Sequence, residues 1–455
     1  MNKREFLAMG GALPLMLAGC GGSGSGSAPV RLVNASVGYP LLGFMIESTQ
    51  ATNADVAYGA TSPYENVQAG AVGITLTVGG ASATAAQTRT INKDQRYSLV
   101  AYGFPNELKN VLIAESSTTP DTGKANVNVL NTSVDIGAVD VYLSSTKDLS
   151  VSTLIASSIT GVSQSAFSGV LAGSYYVTVV GANSISKGIS DVRFQSPAAV
   201  TLTALQILTI ILTPGASGVL ANAILLTQGT TGTAVSYLNT TARVRAVTAV
   251  PGLATSVVGA TSAGASVTVL SSSTTQQYSK YFVVGTGAAP TVVVNAVNVP
   301  VVMDSTDATT GVTSEITAAL EAGGDYTLMV YLNGSTPKAK IIPDNNTAPV
   351  TSAGVKFRLI NLASDNQGLQ LSMSVNSVSV ATNVPYGVAS DYTEITNVPQ
   401  TTNSVASVDN GPVNLVSHTQ VMTLPNIFTD IVVSVPTPIT TANPVLDFFR
   451  AASGT

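Results

Sequence analysis

Four similar stretches decide the fold: VRLVNAS at Val30–Ser36, VNVLNTS at Val127–Ser133, VRAVTA at Val244–Ala249 and FRLINLAS at Phe357–Ser364. Each is short and rich in β-branched or other apolar residues, which suits a pleated strand. Because side chains alternate along a strand, every second residue faces the same way. The copies recur at intervals of roughly one hundred residues, and such a period indicates tandem domains, not a solenoid of short units.

The last residue of each repeated strand is polar. Asn34, Asn131 and Asn361 occupy this position in three copies, and Thr248 occupies it in the third copy along the chain. Side chains of this kind hydrogen-bond to nearby backbone and turn the chain. The sequence therefore predicts that each domain opens with a strand that ends at this residue.

The remaining sequence also favours strands. In Gln95–Gly103 (QRYSLVAYG) strict alternation predicts a half-buried strand, with Tyr97 facing one side. Leu202–Leu212 is the most apolar stretch after the N-terminus and is interpreted as one central core strand. Thr313–Glu321 fits two helical turns or a strand, and the strand is preferred. Many short strands separated by turn signals predict an all-β fold of tandem β-sandwiches.

Ser/Thr/Pro/Gly-rich runs suggest where these domains begin and end. The predicted division is a signal peptide at 1–19, a Gly/Ser tether at 20–28, and sandwiches at 29–118, 125–230, 242–345 and 355–451.

Composition excludes some classes of function. Only 9% of residues are charged, 45% are hydrophobic, and the net charge is −5. Nucleic-acid binding requires clustered cations that displace counterions from phosphates, and no such cluster exists, so we expect no nucleic-acid partner. Cys20 is the only cysteine, so the domains must be stable without disulfide bonds.

The N-terminus has the pattern of an export signal. Lys3 and Arg4 precede an apolar stretch, Phe6–Leu17, that is shorter than the roughly 20 residues needed to span a bilayer. Leu17-Ala18-Gly19-Cys20 resembles the lipobox of bacterial lipoproteins, which implies cleavage before Cys20 and its fatty acylation. The alternative is an ordinary signal peptide with an incidental cysteine. Gly21, in place of aspartate, favours an outer-membrane lipoprotein that faces the periplasm or the outside; both Sec and twin-arginine export stay open.

Several strand patterns resemble one protein family. The opening strands, Val139–Leu143 (VDVYL), the Ala172-Gly173 turn before SYYVTVVG, and the Tyr97 strand are similar to the domain-of-unknown-function family 4397. Val127–Leu143 is the closest stretch. The resemblance implies an immunoglobulin-like β-sandwich in an exported or surface protein, and it supplies no catalytic motif.

Residues with chemical potential are few. His418 is the only histidine, too few for a zinc site, and no Gly-x-Ser-x-Gly motif accompanies it. We therefore expect no catalytic residues, no metal and no cofactor. Two groups leave calcium open as an alternative to ordinary turns: Asp304 with Asp307, and Asp344 with Asn345 and Asn346. Three tyrosines could stack on sugars or simply pack: Tyr58, Tyr64 and Tyr386.

These observations predict a non-enzymatic cell-envelope protein, anchored to the membrane through lipid on Cys20, with β-sandwiches that present loops for binding or adhesion. Its partner would be an unidentified protein or glycan. Two alternatives stay open. One is a structural protein that self-associates through strand edges. The other is a glycan-active enzyme with dispersed carboxylates.

Overall fold

The structure, a computed structural model, describes a large part of the chain. The described residues are 26–51, 54–182, 192–229, 233–250, 252–274, 277–306, 313–347, 349, 351, 354–363, 368, 370–396, 404–410, 413–420, 428–434 and 445–451. For 304–306, 313 and 404–451 the description is of backbone path and pairing. Cys20 and the rest of the predicted signal lie outside the described residues.

The first group of strands forms two sheets, here called domain 1. Its strands are β1 Ser27–Asn34, β2 Leu41–Ile46, β3 Thr49–Gln50, β4 Val56–Ala57, β5 Glu65–Gln68, β6 Gly70–Val78, β7 Ala81–Ser82, β8 Gln87–Ile91, β9 Tyr97–Tyr102 and β10 Lys109–Ala114. One sheet has the order β10-β9-β1-β5. The other has the order β3-β2-β6-β7, with β4 on β2 and β8 on β6.

Domain 2 repeats this arrangement. Its strands are β11 Lys124–Asn131, β12 Val139–Ser144, β13 Thr153–Ile159, β14 Ser163–Gln164, β15 Ser168–Leu171, β16 Gly173–Gly181, β17 Val192–Gln195, β18 Val200–Leu202, β19 Ile207–Pro214, β20 Ala221–Thr227 and β21 Ala234–Tyr237. A 3₁₀ turn, Leu149–Val151, follows β12. The sheets run β14-β11-β19-β20-β21, with β15 on β11, and β13-β12-β16-β17, with β18 on β16.

Domain 3 has a longer first sheet. Its strands are β22 Thr241–Ala249, β23 Thr255–Ala260, β24 Ser266–Ser273, β25 Gln277–Tyr278, β26 Phe282–Gly285, β27 Thr291–Val294, β28 Val297–Val299, β29 Val301–Thr306, β30 Thr313–Thr317, β31 Asp325–Asn333 and β32 Thr336–Asp344. The sheets run β25-β22-β31-β32-β29-β30, with β26 on β22, and β24-β23-β27-β28.

Domain 4 has two further sheets. Its strands are β33 Val355–Leu362, β34 Leu371–Val375, β35 Val378–Val384, β36 Val388–Ala389, β37 Thr393–Ile395, β38 Ser404–Asn410, β39 Val413–Gln420, β40 Phe428–Ser434 and β41 Val445–Ala451. The sheets run β36-β33-β40-β41, with β37 on β33, and β35-β34-β38-β39.

All four domains share one topology. The strand that carries the repeated opening, namely β1, β11, β22 or β33, pairs in parallel with a late strand of its own domain, namely β9, β19, β31 or β40. We call the sheet that contains this pair the first-strand sheet. In domain 1 a core lies between the two sheets, with Leu32 from β1, Phe44 from β2 and Leu76 from β6. The predicted all-β class of tandem β-sandwiches is confirmed.

The prediction of a half-buried strand is wrong for β9, because the second face of this strand is also covered. Tyr97, Leu99 and Ala101 of β9 lie in the core of domain 1. Val100 and Tyr102, on the opposite face, lie in a separate apolar cluster with Ile211 and Ile224 of domain 2. Strand β9 is therefore buried along its whole length.

Domains 3 and 4 pack in the same way. A shared cluster joins Val247, Met329 and Tyr331 of domain 3 to Ile360 and Leu362 of domain 4. Each first-strand sheet thus has one face on its own core and one face on a neighbouring domain. The described chain contains two such pairs, domains 1 and 2 and domains 3 and 4.

The observed strand boundaries test two further predictions. Leu202–Leu212 is not one strand, since a turn at Leu205, where φ is +65°, separates β18 from β19. Strand β19 is central in its sheet, as predicted. Thr313–Thr317 is a strand, which confirms the preferred interpretation of that segment. No helix within the described residues is long and apolar enough to cross a membrane.

Candidate functional site: a buried polar cluster between paired domains

A buried carboxylate is the centre of the polar contacts between domains 1 and 2. Glu115 follows β10, and its Oε1 accepts from Arg31 Nη2 at 2.8 Å, Ser98 Oγ at 2.7 Å and Tyr64 Oη at 2.6 Å. Its Oε2 accepts from the backbone amide of Gly229 in domain 2 at 3.0 Å. The ion pair is buried, since the side chains of Arg31 and Glu115 are 0% and 2% exposed.

Domain 3 carries an equivalent cluster around Asp344, the last residue of β32. Its Oδ2 accepts from Tyr281 Oη at 2.5 Å and Thr327 Oγ1 at 2.7 Å, and it lies 3.7 Å from Arg245 Nε. Its Oδ1 accepts from Arg358 Nη2 of domain 4 at 2.5 Å. Asp344 therefore bridges two cations from two domains.

Strand register explains why the two clusters match. Arg31 lies opposite Ser98, and Arg245 lies opposite Thr327, in the same parallel pairing of first and late strands. Each guanidinium donates through Nε to that hydroxyl, at 2.9 Å and 2.8 Å. The shared backbone topology thus places the same functional groups at the same points.

A recurring serine places the aromatic member of the cluster. The residue of each opening strand at the position of Arg31 is Arg31, Asn128, Arg245 or Arg358. In every domain a serine hydroxyl accepts a hydrogen bond from the backbone amide of the next residue: Ser62 from Leu32, Ser165 from Val129, Ser279 from Ala246 and Ser390 from Leu359. The residue two positions later is aromatic: Tyr64, Phe167, Tyr281 and Tyr392. In three domains the arginine lies over this ring, at 4.8, 5.0 and 4.6 Å from the centroid, within the range of cation–π attraction.

Domain 2 has a neutral version of the cluster. Asn128 replaces the arginine and Gln228 replaces the carboxylate, with Gln228 Nε2 donating to Thr209 Oγ1 at 2.9 Å. Gln228 Oε1 accepts from Ser116 N of the linker at 2.8 Å. The Asn128 side chain is buried, and neither its Oδ1 nor its Nδ2 has a hydrogen-bond partner among the described residues.

Burial and neighbouring charge fix the protonation states. Burial alone would raise the pKa of Asp344, but Arg358 and Arg245, with hydrogen bonds from Tyr281 and Thr327, outweigh it and lower the pKa. Burial raises the pKa of Tyr392 to about 12 and that of Tyr281 well above its ordinary value. Near neutral pH the carboxylate is ionised and both phenols are neutral, so Tyr281 can donate to Asp344.

These clusters are suited to holding domains together. Their donors and acceptors engage each other and the neighbouring backbone, as when Arg31 Nη2 donates to Thr227 O of domain 2 at 3.0 Å. An open cleft of about 480 Å³ lies elsewhere, in domain 3, and is lined by apolar and neutral polar residues such as Pro290, Asn298 and Thr317. None of the described residues that line this cleft is titratable.

The three tyrosines considered for sugar stacking all lie between domains. Tyr58 Oη is 2.8 Å from Thr213 Oγ1 of domain 2, and Tyr64 Oη donates to Glu115. Tyr386 of domain 4 donates to Leu332 O and stacks edge-on against Tyr331 of domain 3. Of the two interpretations, packing is confirmed for all three.

The second group considered for calcium, Asp344 with Asn345 and Asn346, bonds mainly to other protein groups. Asp344 accepts from Arg358, Tyr281 and Thr327, while Asn345 Oδ1 accepts from Lys356 Nζ at 3.1 Å. Asn346 Nδ2 donates to Asp325 Oδ2 at 2.6 Å. Cationic and neutral donors thus take up the side-chain oxygens of Asp344 and Asn345. No group of three or more His, Cys, Asp or Glu side chains among the described residues could hold a metal ion.

The side chains of four other predicted residues lie outside the structural description. Asp307 and Cys20 lie outside the described residues. Asp304 and His418 lie on the described strands β29 and β39, but their side chains lie outside the description.

Sequence reasoning missed the cluster. Alternation places Arg31 on the face of β1 opposite Leu32, and alternation alone cannot distinguish that face from one exposed to solvent. The signal that could have found the cluster is Ser-x-Tyr or Ser-x-Phe, which occurs in every repeat about 30 residues after the opening strand. Four copies at matching positions mark a shared contact.

The fold and the interdomain clusters define a protein of tandem, paired β-sandwich domains. Residues 28–142 match the model of a family described as Domain of unknown function (DUF4397). The predicted resemblance is confirmed over this range, which covers β1 to β10 and extends into β12.

Comparison with individual proteins adds little. Among solved structures, the Bacillus anthracis TIE protein is similar at 11% identity with a TM-score of 0.14, over 90% of this chain and 68% of that chain. No curated protein sequence matches the chain.

Proposed function

We propose that the protein is a non-enzymatic, lipid-anchored protein of the cell envelope, which presents paired β-sandwich domains for binding or adhesion. The observation that carries the proposal is Leu17-Ala18-Gly19-Cys20 followed by the run GGSGSGS, which has the composition of a linker. A lipid on Cys20 would hold the tether at the outer membrane, and the tether would separate the folded domains from the lipid surface. The ligand is an unidentified protein or glycan.

One structural feature weighs against the alternative of self-association through strand edges. The edge strands β13, β24 and β35 each carry register shifts against their neighbour. Such bulges twist an edge away from further pairing, which weighs against assembly through these edges.

The anchor is tested by metabolic labelling with an alkyne-tagged fatty acid in a bacterial host. We expect the wild-type chain to carry label and to fractionate with the outer membrane. Cys20→Ser should abolish both, while the matched neighbour variant Ser23→Ala should leave both unchanged. A labelled Cys20→Ser protein would rule out the proposed anchor.

Binding is tested with the chain from residue 26 onward, purified as a soluble protein, on arrays of glycans and envelope proteins. Saturable binding without change to the ligand supports the proposal. Release of a cleaved product at a rate that saturates with substrate would overturn the non-enzymatic assignment.

A further inference from the structure

The contact between paired domains is built from the same positions on both sides. Val33 and Leu130, which are equivalent residues of β1 and β11, lie in one shared cluster. Val247 and Ile360, at that same position in β22 and β33, lie in the other. An interface in which the same surface serves both partners is isologous, as in a two-fold dimer. The apolar part of the face would therefore accept any of the four domains.

The polar part of the face differs between the pairs. In the first pair, Glu115 takes a neutral backbone donor from domain 2, and the residue of domain 2 equivalent by register to Arg358 is the uncharged Asn128. In the second pair, Asp344 takes a guanidinium, that of Arg358. The carboxylate of domain 3 is thus matched to a cation, and that of domain 1 is matched to an amide.

Strand register shows what domain 4 contributes. Glu115 directly follows β10 and Asp344 ends β32, and these two strands pair antiparallel with the late strands β9 and β31. The corresponding strand in domain 4 is β41, and its residue at the same register position is Ala451. Asp430 of β40 stands opposite Arg358 in the parallel pairing. Domain 4 therefore presents an arginine to the interface and takes a carboxylate across it from domain 3.

We propose that this cluster is the specificity determinant of domain pairing: the apolar residues make the faces adhesive, and the cluster selects which two faces dock. Docking domain 2 on domain 3 would replace Arg358 by Asn128 beside Asp344. Docking domain 4 on domain 1 would place a second cation beside Glu115 and remove the amide of Gly229. The first exchange removes one partner of the buried Arg358–Asp344 pair, and such a loss is strongly destabilising. Because re-pairing domain 4 with domain 1 leaves domain 2 to dock on domain 3, this loss disfavours the exchanged arrangement.

The test measures thiol labelling of single cysteines in the full chain, with Cys20→Ser so that each introduced cysteine is the sole thiol. Val247→Cys reports opening of the interface between domains 3 and 4, and Val257→Cys, fully buried inside domain 3, reports unfolding of that domain. Val33→Cys reports the other interface. All three are buried valines, so the probes are matched.

Arg358→Asn reproduces the residue that domain 2 carries. We expect it to accelerate labelling of Val247→Cys about a hundredfold, because a buried ion pair is broken, while Val257→Cys and Val33→Cys change less than threefold. Arg358→Lys, which keeps the charge, should give a smaller acceleration at the same probe and allows the test if the asparagine variant does not fold. Equal acceleration at Val247→Cys and Val257→Cys, or none at either, would overturn the proposal.

Discussion

At the scale of single residues, an asparagine at or one residue before the end of three of the four opening strands joins that strand to the rest of its sandwich. Asn34 Nδ2 donates to Tyr39 O and Val56 O, and its Oδ1 accepts from Ser36 N. Asn131 makes the same three kinds of bond, and Asn361 makes two of them. The predicted role of these residues in turning the chain is confirmed.

Replacing this asparagine should therefore be costly. Asn34→Ala leaves two buried carbonyls and one amide without partners, and we expect a loss of about 2–4 kcal/mol in unfolding free energy. Denaturant unfolding measures it. Asn66→Ala, on the exposed side of β5, is the control and should change stability by less than about 0.5 kcal/mol. Equal losses would contradict the assigned role.

Two buried tyrosines of the second pair should respond in opposite ways to loss of the hydroxyl. Tyr281 Oη donates to Asp344, so Tyr281→Phe removes a donor from a buried carboxylate and should cost about 1–3 kcal/mol. Tyr392 Oη is buried without a partner among the described residues, so Tyr392→Phe should be neutral or stabilising. Thermal unfolding of both variants decides the matter, and a larger loss for Tyr392→Phe would refute it.

At the scale of elements, the turn between β18 and β19 stores strain that substitution can remove. Leu205 adopts a φ of +65° and is 54% exposed, and this conformation costs a side chain such as leucine about 1–2 kcal/mol. Leu205→Asn should raise unfolding free energy by up to about 1 kcal/mol because asparagine tolerates the conformation. Val235→Asn, at an exposed strand position, is the control and should not stabilise. Calorimetry of both variants measures the difference.

Many of the strands could be predicted from the sequence, and the features that could not be predicted have physical explanations. Alternation located β9 and the apolar run located β19. Alternation could not show that Val100 and Arg31 face another domain, since a residue on the outer face has the same period whether water or protein covers it. The turn at Leu205 was missed because only its backbone conformation, not its side chain, marks it.

At the scale of the whole molecule, paired domains and a buried carboxylate couple stability to acid. The pKa of Asp344 is lowered in the folded state, so its contribution is present above the ordinary aspartate pKa and is lost as pH falls through the folded value. We expect the melting temperature of wild type to drop below about pH 4. Asp344→Asn should be less stable at pH 7 and should lose less of its stability on acidification. Calorimetry between pH 2 and 7 measures both, and parallel pH profiles would contradict the coupling.

The covered outer face of each first-strand sheet also limits how such a chain can grow. A single extra domain would expose the apolar outer face of its first-strand sheet to water, because it would have no partner domain to pack against. Two extra domains would cover each other. Adding domains two at a time would therefore keep these faces covered. A chain with an odd number of domains would need a polar outer face on its unpaired domain.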